Sequence, residues 1–263
     1  MSNPCLPPEI LDCIVDLLHN IPYALNQCCL VSKSWTPRAR RHLFAKIGLA
    51  TKERVELWKK AFPDPSTSPA RYANTLYIGC LHVVTAADTE AGGWIRGFSR
   101  VVNLELDTQR ACFDELAIVL VTFQGLSPFV KSLRVGFVSL PPPQVFDLIL
   151  SFPLLEDLAL ISSDTPIENR YSPGRLPTII RLSNPLAFAG SLELPLVEGM
   201  RPTVGRLSTL PVGPRFRNLV LGWYREEDLL LVTALMEEFS HTLESLDVIR
   251  CIHGGHDHLT PTH

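Results

Sequence analysis

Several common targeting signals are missing from this chain of 263 residues, and each absence excludes a class of protein. The uncharged, mostly apolar run Leu116–Val130 contains Gly125 and Pro128, and no uncharged run exceeds 16 residues, short of the ~20 of a membrane-spanning helix. The first sixteen residues contain no Lys or Arg but three carboxylates, so we expect no secretory signal. No Asn-x-Ser/Thr glycosylation site occurs.

Cysteine usage and charge are similarly restrictive. The seven cysteines are odd in number and form no C-x-x-C pair, although Cys28 and Cys29 are adjacent. This pattern favours reduced thiols over a disulfide framework, so we expect a protein of the cytoplasm and/or nucleus. A net charge of −3 gives no general attraction to nucleic acid or to anionic lipid, and we expect neither as a partner.

Catalytic motifs are missing as well: the sequence has no G-x-S-x-G, no Walker loop, no G-x-G-x-x-G and no H-E-x-x-H. The chain is therefore predicted not to be an enzyme and to need no cofactor, and a hydrolase is a distant alternative. A zinc site is conceivable near the C-terminus, where N and S ligands gather at Cys251, His253, His256, His258 and His263. Gly254 and Gly255 favour a solvated tail instead, so no metal is predicted.

The first fifty residues show the pattern of three short helices. A first helix opens at Leu6-Pro7-Pro8 and ends before Pro22, a second covers Leu25–Val31, and Ser32 is placed to cap a third over Lys33–Phe44. A unit of this size cannot bury so many large apolar side chains by itself. It requires either a partner protein or packing against the rest of the chain, and the residues alone do not decide between them.

These helices resemble an F-box, a match that extends from Leu6 to about Ile47. Its most specific parts are Leu6-Pro7-Pro8-Glu9-Ile10-Leu11 and Leu30-Val31-Ser32-Lys33-Ser34-Trp35. The resemblance implies a docking module for the Skp adaptor of cullin–RING ubiquitin ligases. By the same resemblance, the adaptor-binding face and the small internal core are together supplied by Leu6, Pro7, Ile10, Leu11, Ile14, Leu17, Leu25, Cys28, Val31 and Trp35.

The composition divides the chain into three parts. Residues 1–50 form the F-box-like helical domain, and residues 51–70 hold a charged helix over Thr51–Lys60 followed by a linker rich in Pro and Ser. Residues 71–263 form the third part. Residues 1–60 carry 9 Lys/Arg and 5 Asp/Glu (+4), whereas residues 61–263 carry 15 and 22 (−7).

A pattern of apolar-x-x-Leu-x-apolar recurs through the third part, with steps of 25 to 34 residues between the central leucines Leu76, Leu104, Leu133, Leu158, Leu192, Leu219 and Leu246. Such a period predicts stacked units with one short strand each, whose Leu and following apolar residue point inward. Helical spacing appears between them over Phe113–Phe123, Val145–Phe152 and Glu226–Phe239. The predicted fold is an α/β solenoid, an irregular leucine-rich-repeat-like array of parallel strands and helices, and the alternative is an ordinary α/β domain. The array resembles the degenerate leucine-rich tails of fungal F-box proteins, and truncation of a longer parent stays open.

Outward strand positions are the candidate site for a client protein. They are mostly acidic, which favours a basic or Lys-exposing client, and the predicted contacts are Glu105, Asp107, Arg134, Asp157 and Asp247. The resemblance and the repeats together predict a non-catalytic substrate-recognition subunit of an SCF-type (Skp, cullin, F-box) ubiquitin ligase. Its partners would be a Skp-type adaptor, through it a cullin–RING ligase, and an unknown client. The alternative is a protein-interaction scaffold with a vestigial or non-ubiquitylating F-box.

Overall fold

The computed structural model of the protein describes residues 7–79, 84, 88, 93–107, 128–137, 149, 151–162, 190–194, 216–221, 224–225, 229–248 and 251–252. The chain divides into two compact units, Met1–Val130 and Lys131–His263, which we call the N-terminal unit and the C-terminal unit. Two of the three helices predicted between the strands, Phe113–Phe123 and most of Val145–Phe152, lie outside the described residues.

The N-terminal unit begins with three helices: α1 (Pro8–Leu17), α2 (Pro22–Val31) and α3 (Thr36–Leu43). Each has a proline in its first turn, where the missing N–H costs no intrahelical hydrogen bond. The three helices predicted from the sequence are thus confirmed.

The predicted start of α3 was wrong. Ser32 does not cap this helix, because its hydroxyl accepts a hydrogen bond from the Ser34 amide (3.2 Å) within a turn. Thr36 begins the helix instead, and its hydroxyl donates to the carbonyl oxygens of Cys29 and Ser32, each at 3.1 Å.

A small apolar core joins the three helices. Its buried members are Val15, Leu25, Cys28 and Ala39. Around them pack the half-buried side chains of Leu18, Cys29, Trp35 and Leu43. Because these residues come from all three helices, the core fixes their arrangement by apolar burial.

The segment that follows the three helices packs against its own unit. Helix α4 (Lys52–Ala61) starts at Thr51, whose hydroxyl accepts from the Arg54 amide, and thus confirms the helix predicted there. The Pro/Ser-rich stretch after it is a loop, as predicted, and it leads into a short 3-10 turn, Pro69–Tyr72, preceded by the buried Ser68. Trp58 of α4 stacks near Phe62 and Phe98, with ring centroids 4.7 and 5.5 Å away. These aromatic contacts tie α4 to the 3-10 turn Trp94–Gly97, which Phe98 follows.

Three strands of the N-terminal unit pair in parallel: β1 (Lys46–Leu49), β2 (Thr75–Ile78) and β3 (Asn103–Asp107). Strand β1 was not predicted, although its signal is in the sequence. Phe44-x-x-Ile47-x-Leu49 repeats the apolar pattern 29 residues before Leu76, with Ile in place of the central Leu. The F-box-like segment and the first strand therefore overlap in sequence.

The C-terminal unit holds β4 (Ser132–Phe137), β5 (Asp157–Ser162), β6 (Ser191–Leu194), β7 (Asn218–Leu221), β8 (Tyr224–Arg225), helix α5 (Leu229–Phe239), β9 (Ser245–Val248) and β10 (Cys251–Ile252). β4, β5, β6, β7 and β9 pair in parallel in that order, and β8 pairs in parallel with β10. Helix α5 confirms the described part of the helix predicted over Glu226–Phe239.

All seven predicted strands are present, and the α/β class with parallel strands is confirmed. In β2 to β7 the central Leu and the apolar residue two positions later are buried, as the alternation of strand side chains requires. Strand β9 departs from this pattern, because its Leu246 and Val248 are exposed. The prediction that both point into a core was wrong for this strand.

Candidate functional site

Helix α1 carries two apolar stripes rather than one. Leu11, Val15 and Leu18 form one stripe: Val15 is fully buried in the helical core, Leu18 packs against that core, and Leu11 is half-buried. Ile10, Ile14 and Leu17 share the same i, i+4, i+7 spacing one residue earlier, and all three are exposed. An ordinary surface helix needs only the stripe that faces its own core. The second stripe is therefore available to another molecule.

Helix α2 shows the same excess of apolar surface. Leu25 and Cys28 are buried in the core, whereas Tyr23, Leu30 and Val31 are exposed. Tyr23 and Leu30 are seven residues apart, so they lie on one side of the helix. The exposed fraction is 80% for Leu17 of α1 and 79% for Leu30 of α2, high values for side chains of this size.

The structure separates the predicted adaptor-binding residues into two groups. We call residues 7–43, which contain α1, α2 and α3, the helical segment. Five of the predicted residues are exposed there: Pro7, Ile10, Ile14, Leu17 and Val31. Leu25 and Cys28 belong to the internal core, Trp35 is half-buried against it, and Leu11 is half-buried. Leu6 lies outside the described residues.

Three exposed apolar residues of this segment were missed by the sequence reasoning: Ile21, Tyr23 and Leu30. The seven-residue spacing of Tyr23 and Leu30 was a signal for two of them. We call the exposed apolar residues of α1, α2 and the turn between them the helical apolar surface, which consists of Ile10, Ile14, Leu17, Ile21, Tyr23, Leu30 and Val31.

A charged cluster holds α1 against α3 and so positions the outer stripe of α1. Arg38 of α3 donates from Nε to Oδ1 of Asp16 (2.7 Å) and from Nη1 to Oδ2 of Asp12 (3.0 Å). His42 Nε2 lies 2.7 Å from Oδ1 of Asp16. The hydrogen bonds from Arg38 and His42 hold the pKa of the Asp16 carboxyl well below its usual range, while the same contact with Asp16 raises the pKa of Arg38.

Residues at the first outward position of neighbouring strands hydrogen-bond to one another, and we call this series the hydrogen-bond ladder. In the C-terminal unit, Oδ1 of Asp157 accepts from the Ser191 amide (2.6 Å), and the Asn218 side-chain amide donates to Oγ of Ser191 (3.2 Å). The Ser245 hydroxyl then donates to Oδ1 of Asn218 (2.7 Å). The N-terminal unit repeats the arrangement with Asn103 and Thr75, whose side chains bond at 3.3 Å. Asp157, a predicted client contact, thus has a structural role.

The next outward row of the C-terminal unit contains two more of the predicted client contacts, Arg134 and Asp247. Arg134 donates to Oε2 of Glu193 (2.9 Å), and the bond spans the intervening strand above the small side chain of Ala159. Asp247 is exposed at the other end of this row. Of the predicted client contacts in the N-terminal unit, Glu105 is half-buried and Asp107 has an interaction partner. The client site stays a prediction, and Asp247 is its most accessible acidic member in the C-terminal unit.

Burial raises the pKa of the Cys29 thiol, which disfavours a reactive thiolate. Among the described residues, no group of three or more His, Cys, Asp or Glu is arranged to hold a metal ion, and the His-rich tail lies outside them. No helix in the described part of the chain is both long and apolar enough to cross a bilayer.

Comparison with known proteins gives no further assignment of this surface. Searches against protein-family models, curated protein sequences and solved structures each find no match to this chain. Any functional conclusion therefore depends on the residues themselves.

Proposed function

We propose that this protein is the substrate-recognition subunit of an SCF-type ubiquitin ligase, with an F-box-like helical segment that docks a Skp-type adaptor. The proposal is supported by one observation above all. The helical segment leaves seven large apolar side chains exposed, although the same three helices already have a core of their own. Where exposed apolar side chains lie next to one another, they mark a protein–protein interface.

The architecture of the remaining chain supports the second half of the proposal. Parallel strands recur with the same register; β2 to β7 each place two apolar side chains inward, and many of their outward positions are polar. In a leucine-rich-repeat-like solenoid such a polar row forms the recognition surface for a client. The chain would contribute no catalytic group. It would hold the client near a conjugating enzyme recruited by the assembly, so that rate comes from proximity and orientation.

The test of adaptor docking is co-expression of the full chain with a Skp-type adaptor, followed by affinity capture. The variant Leu17→Asp/Leu30→Asp places two charges on the helical apolar surface, at side chains too exposed to disturb the core. The matched control is Leu230→Asp on α5, whose exposed fraction of 85% is comparable. We expect stoichiometric capture of wild type and control, and loss of capture in the double variant. A folded wild type that captures no adaptor contradicts the proposal.

Ubiquitylation and scaffolding are separated by a second readout. In the receptor, turnover of a bound client depends on the helical apolar surface, so Leu17→Asp/Leu30→Asp lengthens the client's half-life. In a scaffold with a non-ubiquitylating F-box, the same variant loses the adaptor but leaves the client's half-life unchanged.

A further inference from the structure

Strand β9 exposes two apolar side chains whose counterparts in the preceding strands are buried. Leu246 and Val248 pair in register with Leu219 and Leu221 of β7, both of which are buried. The exposed fractions of Leu246 and Val248 are 38% and 48%. The register is the same as in the preceding strand pair, so these side chains stand where another strand would complete their burial.

The backbone of β9 is oriented to accept such a strand. Its Ser245 amide donates to the Arg217 carbonyl (3.0 Å) and so points toward β7. Successive residues of a strand direct their N–H and C=O groups to opposite edges, so the polar backbone groups of Leu246 and Val248 point away from β7. Within the described residues, β9 is the last strand of its sheet. An edge of this kind is a template for pairing with another chain.

The charge of β9 and the hydrogen-bond ladder indicate which side chains a strand that pairs with β9 would carry. The hydrogen-bond ladder that runs through Asn218 ends at Ser245. The Ser245 hydroxyl donates to Asn218, and its oxygen can still accept a hydrogen bond from a side chain of an added strand. Two positions along, Asp247 is exposed, whereas Glu244, just before β9, already pairs with Arg217 at 3.6 Å. A basic residue opposite Asp247 is therefore favoured. The apolar positions of the incoming strand fall opposite Leu246 and Val248.

We propose that β9 binds an extended segment of a partner protein as an added parallel strand, in register, with the pattern Ser/Thr/Asn, apolar, Lys/Arg, apolar. Main-chain hydrogen bonds to Leu246 and Val248 supply affinity, and the contact with Asp247 supplies specificity. A second copy of this chain is a poorer occupant, because in-register parallel pairing of β9 with itself places Asp247 opposite Asp247. The proposal stands independently of adaptor docking, since the edge contains none of the helical apolar surface.

The experiment is titration of the full chain with a soluble peptide that carries Ser-Val-Lys-Val between Gly/Ser flanks, followed by amide chemical shifts. We expect saturable shifts centred on Leu246 and Val248. Asp247→Lys weakens binding of this peptide roughly fivefold and improves binding of a Ser-Val-Glu-Val peptide by a similar factor. Glu238→Lys, an exposed change of equal charge on α5, leaves both affinities close to wild type.

N-methylated peptides test the strand geometry without altering the protein. Methyl groups on the first and third amides of Ser-Val-Lys-Val remove the donors that face β9 and abolish binding, whereas methyl groups on the second and fourth do not. The proposal is overturned by an absence of binding, by equal effects of the two methylation patterns, or by a concentration-dependent dimer that produces the same shifts without peptide.

Discussion

The helical segment and the strands use similar apolar residues but treat them differently. In β2 to β7 the inward Leu, Ile and Val side chains are fully buried, so their apolar surface contributes to the stability of the chain itself. In α1 and α2 the buried apolar residues are Val15, Leu25 and Cys28, whereas the exposed ones are Ile10, Ile14, Leu17, Tyr23, Leu30 and Val31. The difference indicates that burial in the strands stabilises the fold, whereas the excess in the helices is available for a partner.

The largest expected effect comes from one pair of facing strand leucines. Leu219 and Leu246 are register partners, but only Leu219 is buried. Leu219→Ala should lower the free energy of unfolding by about 2–5 kcal/mol, because it leaves a cavity in a packed core. Leu246→Ala, the matched control, should cost less than about 1 kcal/mol. Urea denaturation of both variants is the measurement, and equal losses would contradict the distinction between buried strands and the β9 edge.

A glycine comparison tests how closely the strands approach one another. A Cβ added at Gly190 would lie 2.8 Å from the Glu156 carbonyl oxygen and would clash with the Asp157 carboxylate. Gly190→Ala should therefore cost about 1–3 kcal/mol through local displacement of β5 from β6. At Gly48 of β1 the nearest atom is a ring carbon of Tyr77 at 3.9 Å.

Gly48→Ala is the control for this prediction, and its free energy of unfolding should stay within about 0.5 kcal/mol of wild type. Thermal unfolding of the two variants gives the comparison. A neutral Gly190→Ala would mean that the Asp157–Ser191 hydrogen bond does not require this close approach.

The smallest expected effect is an acid dependence of the helical segment. Because the pKa of Asp16 is lowered in the folded protein, its contribution to stability is complete above the unfolded value of about 3.9 and is lost as the pH falls below it. Asp16→Asn should be less stable at neutral pH and should lose less stability on acidification. Urea midpoints measured from pH 6 down to pH 2.5 test this.

Other carboxylates whose pKa is lowered, Glu53 and Asp64 among them, leave a residual acid dependence in Asp16→Asn. The pKa of Asp64 is lowered by hydrogen bonds from the Ser66 hydroxyl and amide, both at 2.8 Å, so this residue also destabilises the fold when protonated. Asp64→Asn is the control, and an Asp16→Asn profile parallel to that of wild type would contradict the role of the Arg38 contact.

The strands were predictable because their signal is local and repeated. Each apolar-x-x-Leu-x-apolar unit fixes both the strand and its buried face, and seven of the eight sheet strands that carry the pattern were predicted. Strand β1 was missed because Ile47 replaces the central Leu and because the segment was assigned to the helices before it. Residues 245–248 carry the same pattern as the buried strands, so the exposure of Leu246 was not predictable from them.

The helical surface was predictable only in part. Helical spacing identifies apolar stripes, but it does not tell which of two adjacent stripes on α1 faces the core. The sequence did not divide the ten predicted residues between the docking face and the internal core, and packing against Val15 and Ala39 places Leu25 and Cys28 in the core. The roles of Arg38 and Asp16 were also missed, since their contact joins residues that are 22 positions apart.

The central claim is that the exposed stripe of the helical segment is an interface, whereas the strands form the core. Hydrogen–deuterium exchange of the full chain with and without a Skp-type adaptor tests this claim most directly. We predict that adaptor slows exchange in peptides covering α1 and α2 and leaves those covering β4 to β7 unchanged. Unchanged exchange across α1 and α2 at saturating adaptor, or protection confined to the strands, would contradict the account.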